Sequence, residues 1–517
     1  MTSHHEQIHV GTAAQPADAF FTDWRQVQAA TYDFIVIGTG PAGVAFVERA
    51  LARDPHARIL VLERGGYALP MHVQVLPPPF RALDSGAPML GGRSTSWSVW
   101  CPAPEPALLR GWPEALVDVT RKPGFWADAR TFLHVTGADA IDDSVYGCLQ
   151  RQLDLRLGDN FRHCVPSALD AHAAPLAVSG DAGPGPSFHP YCTVGTLLGL
   201  WQRQKTRAAQ ERGSLLAIVD HCTVERLLHD DAGRVSALAT SRGPLDVGDA
   251  KIVLAMGALS PATLLIRSFG ARLPHAGKRC TGHLMSRIAA RVKRSAFRDL
   301  SALELGACYL HGRAESGLQY HVQVSAFASS HPEQDADAIA CETPDAAALP
   351  SPAQLRGSEQ HVLLVCTVLG EVGEDNPGNG VGQDGVDLRL RAGPAELALW
   401  DVMDDAACQT IAALASRSDG LASAAPAIEY WIEEGDDGYW QAGRPEAHQV
   451  RLPVIVDEAS ALWIGEEPAS SVVGLDYRPH GVDNVYVTGA ALFPTAGSWN
   501  PTLTVCGLAQ DLADRIV

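Results

Sequence analysis

The sequence predicts an α/β protein (α+β over the whole chain) in which a parallel sheet lies beside a second, mainly antiparallel sheet. An apolar run at 34–37 leads through a glycine-rich turn into a helical pattern, and a second strand–glycine–helix unit begins near residue 251. Both patterns are typical of buried parallel strands. The region after them favours an antiparallel sheet in a separate domain, with strands at 321–328, 362–367 and 386–391 and a helix at 401–416.

Composition narrows the classes of function. The 517 residues suffice for two or three domains, and 46% apolar residues is ordinary for a globular protein. A net charge of −19 argues against a nucleic-acid partner, which would need a basic surface. The 11 cysteines show neither a C-x-x-C pair nor a metal-ligand spacing. Since residues 1–31 lack a signal-peptide pattern and no long apolar run follows, we expect a cytoplasmic protein that binds neither membrane nor metal.

The first strand ends in the turn Gly38-Thr39-Gly40-Pro41-Ala42-Gly43, which has the G-x-G-x-x-G spacing. Gly38 allows a tight turn, Gly40 lets the backbone approach a pyrophosphate, and Gly43 lets the helix pack closely on the strand. Pro41 suits the first turn of this helix, whose free N–H groups then face an anion. The next strand, 58–62, ends at Glu63, where a carboxylate can hold ribose hydroxyls. Together these features predict a Rossmann-like dinucleotide-binding domain.

A second informative stretch is LGGRSTSWSVWCPAP at 90–104, where two glycines precede a cluster of hydroxyl groups and two tryptophans. Small and hydroxyl-bearing residues allow a backbone to run along a flat ring and to donate hydrogen bonds to it. The alternative is a turn that leads into an ordinary core strand. The residues alone do not separate these two interpretations.

Between these stretches and the middle region the pattern is regular. A helix is expected at 193–212, and DDAG at 230–233 forms the turn between antiparallel strands at 224–228 and 235–239. A buried strand at 251–257 ends in Gly257, and Ser260 is expected to cap the helix 260–267. Loops are expected at the proline run 77–79, at 180–187 and at 331–358.

The C-terminal end is the second region of the chain that is rich in candidate cofactor-binding residues. A strand at 484–488 leads to the small-residue turn Gly489-Ala490-Ala491, and a helix from Pro501 to Ile516 closes the chain. Asn500 stands directly before this helix, where free N–H groups and an amide side chain face the same space.

These pieces resemble the glucose–methanol–choline (GMC) family of flavoprotein oxidoreductases, and most of all its pyranose-oxidase-like and bacterial dehydrogenase branch. The resemblance rests on VIGTGPAG with ERGG, LGGRSTSW, GALSPATLLIRS, TGHLMSR at 281–287 and the tail at 471–509. It implies FAD bound in an extended form, an oxygen or other electron acceptor, and a small-molecule substrate. The implied cofactor-binding residues are Gly38, Thr39, Gly40, Pro41, Ala42, Gly43, Glu63, Arg64, Gly91, Gly92, Arg93, Ser94, Thr95, Ser96, Trp97, Ser98, Val224, Gly257, Gly489, Ala490, Asn500, Pro501 and Thr502.

Two departures from the family pattern matter. Some pyranose oxidases link the flavin covalently to a histidine at the position of Ser96, so this chain is expected to bind FAD non-covalently. The family's catalytic histidine, in an H-x-M-G-T-type motif, falls here on Asp457-Glu458 in VDEASALWIGEEP. Asn500, by contrast, is expected to hydrogen-bond the substrate oxygen as charge develops, as this position does in the family.

The missing histidine leaves three interpretations of the base. Asp457 or Glu458 could accept the proton if burial beside a wall such as Trp463 raised its pKa. His448, on the preceding segment, could reach in, or no proton is abstracted by this group at all. His480, in RPHGVDN, is interpreted as structural. Asp457 and Glu458 could equally form a solvated acidic turn, and Asn500 could be a helix cap.

The leading hypothesis is an FAD-dependent enzyme that oxidises a hydroxyl group of a sugar, glycoside, polyol or related secondary metabolite. The alternative is a flavin-dependent lyase or cyclase with little or no net redox chemistry, and a third is a non-catalytic FAD-binding protein. The expected domains are an FAD-binding domain from 1–112, 193–295 and 456–517, an intervening segment at 113–192 and a substrate-binding domain at 296–455.

Overall fold

The computed structural model describes residues 20–67, 88–141, 145–158, 161–179, 188–382, 387–416, 427–435 and 437–517. The proline run 77–79 and the loop predicted at 180–187 lie outside these residues. Two sheets organise the described chain, a five-stranded parallel sheet and an eight-stranded antiparallel sheet, which confirms the predicted fold class.

The parallel sheet carries the N-terminal unit at its centre. Its neighbouring strands run parallel and are buried: in order, Val485–Val487, Lys251–Leu254, Phe34–Ile37, Ile59–Leu62 and Ala217–Val219. The helix Pro41–Arg53 packs against the C-terminal helix Thr502–Ile516 and the helix Thr193–Ala209. Continuous apolar runs such as FIVI and ILVL suit strands that are covered on both faces, as the sequence predicts.

A three-stranded antiparallel sheet follows, formed by Val224–His229, Val235–Thr240 and Gly243–Asp246. The predicted DDAG turn joins the first two strands, with Gly233 in the left-handed region at φ 90° and the Asp230 carboxylate accepting from the Arg234 N–H. The prediction that Ser260 caps the next helix is wrong. The helix runs from Ser260 to Phe269, so Ser260 is its first residue, and its N-cap, Leu259, makes no side-chain cap.

The antiparallel sheet is built mainly from the middle of the chain. Its order is Asp437–Gln441, Ile428–Glu434, Thr281–Lys293, His361–Val372, Gln319–Ser329, Leu303–Arg313 and Ala168–Ala173, with Arg451–Ala459 paired along the start of Thr281–Lys293. The strand predicted at 386–391 is reduced to the exposed pair Leu388–Arg389, which meets Gly380–Val381. The predicted domain division stays a prediction, although strands 168–173 and 281–293, which it places outside the substrate domain, pair into this sheet.

The two faces of the antiparallel sheet differ in chemistry. On the strand Gln319–Ser329, Val322, Val324 and Ala326 belong to an apolar cluster with the helix Pro394–Ala415. The alternate residues, Gln319, His321, Gln323 and Ser325, form the other face and are also buried. We call this side the polar face; by register it continues through Thr367 and Glu371 on the neighbouring strand to His283. A fully buried polar row in a strand indicates a site rather than a solvated surface.

The helix predicted at 401–416 begins earlier, at Pro394. Proline stands at its first position, the Gly393 N–H donates to the Glu396 carboxylate at 2.9 Å, and the helix ends at Ala415. The segment predicted as a surface loop, 331–358, also contains helical turns, Ala336–Glu342, Ala346–Ala348 and Pro352–Leu355, and it buries Asp345.

The remaining elements surround these layers. Three short strands, Val135–Gly137, Pro175–Ser179 and His189–Pro190, form a small antiparallel sheet. The other α-helices are Trp24–Ala29, Glu114–Thr120, Phe125–Leu133, Cys148–Leu157, Phe161–Cys164 and Ala447–Val450, and single 3₁₀ turns lie at Gly92–Thr95, Pro106–Leu108, Ala138–Ala140, Gly270–Arg272, Arg294–Ala296 and Ala490–Leu492. No helix in the described part of the chain is both long and apolar enough to cross a membrane.

Candidate functional site

The glycine turn has the geometry that its spacing predicts. Gly38 has φ 106°, and a Cβ atom there would lie 2.3 Å from the Ala255 carbonyl oxygen; a Cβ on Gly43 would lie 2.1 Å from the Gly38 oxygen. A Cβ on Gly40 would meet no atom within 4 Å. Gly38 and Gly43 are therefore required by packing, whereas Gly40 borders open space. The helix beginning at Pro41 has no side-chain cap, so its first N–H groups are free to face an anion there.

Glu63 ends the second strand inside a hydrogen-bonded turn. Its Oε2 atom accepts from the Thr39 N–H at 3.0 Å and from the Thr39 hydroxyl at 2.6 Å, and its Oε1 atom accepts from the Gly65 N–H at 2.8 Å. These bonds fix the carboxylate at the edge of the sheet. Both lone pairs of Oε2 are engaged, and Oε1 keeps one for a hydroxyl ligand. Arg64, beside it, is exposed.

The stretch 90–98, here called the hydroxyl-rich loop, lies directly over the glycine turn. The Gly91 N–H donates to the Thr39 hydroxyl at 2.9 Å, and a Cβ on Gly92 would lie 3.1 Å from the Gly40 Cα. Ser94 bonds the Gly91 carbonyl at 2.7 Å and the Thr193 hydroxyl at 2.9 Å. This hydroxyl therefore braces the loop itself.

The rest of the loop is divided between bracing and exposed side chains. The Thr95 hydroxyl donates to the Gly92 carbonyl at 2.8 Å, and the Trp97 indole N–H donates to the Tyr191 carbonyl at 2.9 Å. Ser96 is exposed, Ser98 is half-buried, and the Arg93 guanidinium reaches Glu458 at 3.0 Å. The loop thus connects the parallel sheet to the strand Arg451–Ala459.

The other predicted cofactor residues follow the same edge of the parallel sheet. The Thr488 N–H bonds the Leu254 carbonyl, and a Cβ on Gly489 would lie 3.4 Å from the Gly257 oxygen, so Gly257, Gly489 and Ala490 are adjacent. At the opposite end, Val224 follows a segment whose Cys222 N–H bonds the Glu63 carbonyl.

Asn500 lies between the two sheets. It is 5% exposed and precedes the helix Thr502–Ile516, whose N-cap is Pro501. Its Oδ1 atom accepts a 2.7 Å hydrogen bond from the Gln323 side chain, on the polar face. The same Gln323 nitrogen lies 3.0 Å from the His321 Nε2 atom. The structure therefore joins the predicted Asn500 to two residues of the antiparallel sheet that the sequence did not single out.

Asp457, on which the resemblance places the family's catalytic histidine, lies in a bulge. Thr281 pairs with Ala459 and His283 with Val456, so Asp457 and Glu458 stand opposite Gly282 alone, and Asp457 has φ 53°. The Asp457 carboxylate lies 3.2 Å from the Nδ1 atom of His283, whose ring is 1% exposed. The bulge thus turns a carboxylate towards a buried imidazole.

The other candidates for the base have different surroundings. Glu458 forms the ion pair with Arg93. His448 lies in the short helix Ala447–Val450 with its side chain 75% exposed, beside Glu446, rather than in the buried group around Asn500. Trp463, which was expected to wall off Asp457, instead stacks under the Arg279 guanidinium, with 4.4 Å between that group and the ring centroid. His480 bonds the Ser471 hydroxyl at 2.8 Å, as a structural residue would.

Several buried polar atoms of the polar face find no hydrogen-bond partner among the described residues. They are Gln319 Oε1, Ser325 Oγ and His283 Nε2. Buried polar atoms are normally paired, because an unpaired one costs about 1–3 kcal/mol. Such a concentration on one sheet face, next to Asn500, fits a site whose ligand supplies the missing partners.

Burial sets the charge states around this face. Desolvation first, and then the neighbouring His283, holds the pKa of His321 well below its usual range, so His321 is neutral. Burial also raises the pKa of the Glu371 and Asp345 carboxyl groups, against the opposing effects of Arg110 on Glu371 and of the Ala347 N–H on Asp345. The described residues hold no group of three or more His, Cys, Asp or Glu side chains placed for a metal ion.

Sequence reasoning missed His283, His321, Gln323 and Thr193. His321 and Gln323 lie in a strand whose signal was the period-2 row of polar residues in QYHVQVSAF, whereas His283 lies in the separate strand Thr281–Lys293, outside that row. Thr193, whose hydroxyl bonds the Thr39 and Gly91 carbonyls, gave no signal beyond its place at a helix start.

Comparison with known proteins relates the chain to a protein family and to a solved structure. Residues 396–509 match a family model described as GMC oxidoreductase. The crystal structure of pyridoxine 4-oxidase from Mesorbium loti aligns with 94% of this chain and 99% of its own chain, at a TM-score of 0.57 and 16% sequence identity, which shows a shared fold. No curated protein matches the sequence.

Proposed function

We propose that the chain is a GMC oxidoreductase, which the family match over residues 396–509 favours, and that it uses non-covalent FAD to oxidise a hydroxyl group of a sugar, glycoside, polyol or related secondary metabolite. The observation that carries the proposal is the hydrogen bond between Asn500 and Gln323. It joins the helix beside the predicted cofactor edge to the buried polar face of the antiparallel sheet. A substrate held on that face would have its reacting carbon next to the cofactor edge.

The residues of the parallel sheet fit the dinucleotide. The space beside Gly40 accepts a pyrophosphate at an uncapped helix start, and the Glu63 carboxylate is oriented for ribose hydroxyls. The buried hydroxyl of Thr488 and indole N–H of Trp499 have no partner in the described chain, so this end also offers polar groups to a ligand. Ser96 has no imidazole nitrogen for the covalent link that a histidine makes, which supports non-covalent binding.

Bound FAD would supply the hydride acceptor for the reaction. Asn500 uses Oδ1 to accept from Gln323, so its amide N–H groups are the ones that can donate to a substrate oxygen. The Arg93–Glu458 pair holds the hydroxyl-rich loop against the bulged strand, and the neighbouring 490–500 segment covers the same end. Dioxygen or another carrier would then accept the electrons.

The polar face also supports the proposed substrate class. Its unpaired atoms are an amide oxygen, a hydroxyl and an imidazole nitrogen, which bond neutral hydroxyl groups as donors or acceptors. A substrate with several hydroxyl groups satisfies them without bringing a charge into a buried site, which would be costly.

Anaerobic mixing of the FAD-loaded protein with a panel of sugars, glycosides, polyols and pyridoxine, while the flavin absorbance is followed, tests the proposal. We expect at least one hydroxylated compound to bleach the flavin band and to give the carbonyl product. Acid precipitation should release the flavin into the supernatant, because the binding is non-covalent. A flavin that no alcohol reduces refutes the oxidation, and flavin that stays with the precipitate refutes the non-covalent binding.

A lyase or cyclase remains the second candidate, because the family's base position holds Asp457 instead of histidine. A carboxylate there could exchange protons without net oxidation. The mass of the product separates the two functions, since oxidation removes two hydrogen atoms and cyclisation removes none.

A further inference from the structure

We infer that the buried imidazole of His283, positioned by Asp457, accepts the substrate hydroxyl proton in this chain. The inference rests on the proposed function and assigns its base to the antiparallel sheet instead of the C-terminal strand. It follows from hydrogen-bond roles, burial and position, each of which separates His283 from the other candidate groups.

The hydrogen-bond roles decide the tautomer of His283. The Nδ1 atom lies 3.2 Å from the Asp457 Oδ2 atom, and an ionised carboxylate only accepts, so Nδ1 carries the hydrogen. In the neutral ring Nε2 then holds the free lone pair. This atom is buried and has no partner in the described residues. An imidazole whose Nδ1–H is held by a carboxylate and whose Nε2 is free has the arrangement required of a general base.

His321 is a second buried imidazole, linked to Asn500 through Gln323, and its lone pair is engaged. Its Nε2 atom lies 3.0 Å from the Gln323 amide nitrogen, which only donates, so Nε2 accepts. The Nδ1 atom of His321 must then carry the hydrogen. His321 therefore helps to orient Gln323 and Asn500, whereas His283 is free to take a proton.

His283 belongs to the same site as Asn500. Its ring centroid lies 6.4 Å from that of His321, edge to face, and the Gln323 amide nitrogen that contacts His321 lies 2.7 Å from the Asn500 Oδ1 atom. On the other side, Glu458, next to Asp457 in the bulge, pairs with Arg93 of the hydroxyl-rich loop. The imidazole thus lies between the loop and the amide that are expected to enclose the reacting carbon.

Titratable groups face His283 from each strand packed against it. Asp457 faces it from the strand Arg451–Ala459, and Glu371 stands opposite it in register on His361–Val372 but is paired with Arg110 at 3.3 Å. Neutral His321 faces it from Gln319–Ser329, and Asp345 is close enough to Asp457 for the two carboxyl groups to repel. Asp457 is therefore the carboxylate in direct contact with the His283 ring.

The proposed step is balanced as an alcohol oxidation. The hydroxyl proton passes to the Nε2 atom of His283, and the O–H bond pair left on oxygen forms the carbonyl π bond. The carbon's hydrogen leaves with its two electrons as hydride to the bound flavin that the proposed function assigns. Asn500 donates to the oxygen while the charge develops.

Single-turnover flavin reduction between pH 5 and 9 with the best alcohol of the panel, in the parent and in His283→Asn, tests the inference. Asparagine keeps a donor towards Asp457 and removes Nε2. We expect the reduction rate to fall about 10²- to 10⁴-fold and its rise with pH to disappear. Bound FAD per chain should stay at the parent value, which shows that the variant is folded. The matched control, His163→Asn, changes an exposed histidine in the short helix Phe161–Cys164 and should behave as the parent.

Asp457→Asn separates positioning from structure. Without the carboxylate the Nδ1–H of His283 loses its ionised acceptor and the ring is no longer held in one tautomer, so the reduction rate should lie between those of the parent and His283→Asn. Asp457→Glu keeps a carboxylate and should recover part of the rate, whereas a purely structural role would leave the two variants alike. A parent-like reduction rate in Asp457→Asn overturns the role of Asp457.

The outcomes distinguish the inference from the proposed function. A parent protein whose flavin no alcohol reduces removes the proposed function and the inference with it. A parent that is reduced, together with a His283→Asn variant that keeps its rate and its pH profile, overturns the inference alone. A loss of the pH dependence in His321→Asn but not in His283→Asn would assign the proton to the other imidazole and also overturn it.

Discussion

Two glycine-to-alanine substitutions in one turn should have different effects: Gly40→Ala should weaken FAD binding, and Gly43→Ala should destabilise the apoprotein. Gly40 has φ −67° and ψ −178°, an extended conformation open to any residue, and its added methyl group meets no atom within 4 Å. As a helix N-cap, the change to alanine costs the apoprotein about 1 kcal/mol or less. The methyl group would nevertheless stand where the pyrophosphate is expected.

The magnitude for FAD follows from the hydrogen bonds that a displaced phosphate forfeits. A hydrogen bond from a backbone N–H to a charged oxygen is worth about 1.5–3 kcal/mol, so the loss of one lowers the affinity about tenfold or more. Gly43→Ala places its methyl carbon 2.1 Å from the Gly38 oxygen and 3.3 Å from the Ala255 Cβ. Overpacking of this kind costs about 1–3 kcal/mol, so the free energy of unfolding of the apoprotein should fall.

Titration of the apoproteins with FAD by fluorescence quenching, and their thermal unfolding without FAD, separate the two effects. Gly40→Ala should bind FAD more weakly and unfold like the parent, whereas Gly43→Ala should unfold at a lower temperature. Gly443→Ala, an exposed glycine with an equally open Cβ position, is the matched control for the mutation itself. Parent-like affinity for FAD in Gly40→Ala would refute the placement of the pyrophosphate at this turn.

Three further predictions concern the polar face and its supports. Gln323→Leu removes the donor to Asn500 and leaves a buried acceptor unpaired, at a cost of about 1–3 kcal/mol. The value of kcat/KM should therefore fall about tenfold or more while the FAD content stays unchanged. An unaltered kcat/KM would show that the hydrogen bond between Gln323 and Asn500 does not contribute to catalysis. Arg287→Met removes the guanidinium that bonds the Ala347 and Leu349 carbonyls, so the free energy of unfolding measured by urea denaturation should fall by about 2–4 kcal/mol. A fall of less than about 0.5 kcal/mol would show that these hydrogen bonds do not stabilise the fold. Burial raises the pKa of Asp154 to about 6, so ionisation of this carboxyl group opposes folding as the pH rises from about 4 to 6. The free energy of unfolding of Asp154→Asn should equal that of the parent at pH 4 and exceed it by about 1–2 kcal/mol at pH 7. The same difference at both pH values would show that the pKa of this carboxyl group is not perturbed.

The elements that the sequence predicted well are those whose cause is local. The turn Gly38–Gly43 is specified by its own steric requirements, and the strand Phe34–Ile37 by an uninterrupted apolar run. The helix at 394–415 was predicted to begin too late because its first turns contain an exposed stretch. Its true start is marked by Pro394 and by the hydrogen bond from the Gly393 N–H to Glu396. Ser260 was misassigned because a serine before a proline occupies the same place in sequence whether it is a cap or the first helical residue.

The site residues that escaped prediction depend on contacts between distant parts of the chain. His283 and Asp457 are 174 residues apart, and Gln323 and Asn500 are 177 apart. The alternating polar row on Gln319–Ser329 could have marked one face of that strand as special. It could not have shown which residues lie opposite, because sheet order and register across four strands are not written in any one of them.

The bulge in the strand Arg451–Ala459 gives two neighbouring carboxylates different roles. In a regular ladder, successive side chains point to opposite faces, so a carboxylate placed opposite Gly282 would have one fixed direction. Here two residues share that place, and the left-handed backbone of Asp457 aims its side chain at His283 while Glu458 turns to Arg93. A single local distortion therefore supplies both a partner for an imidazole and an anchor for the loop. Because the imidazole comes from the antiparallel sheet, whose polar face is proposed to bind substrate, the base and the groups that select the substrate would be carried by the same rigid element.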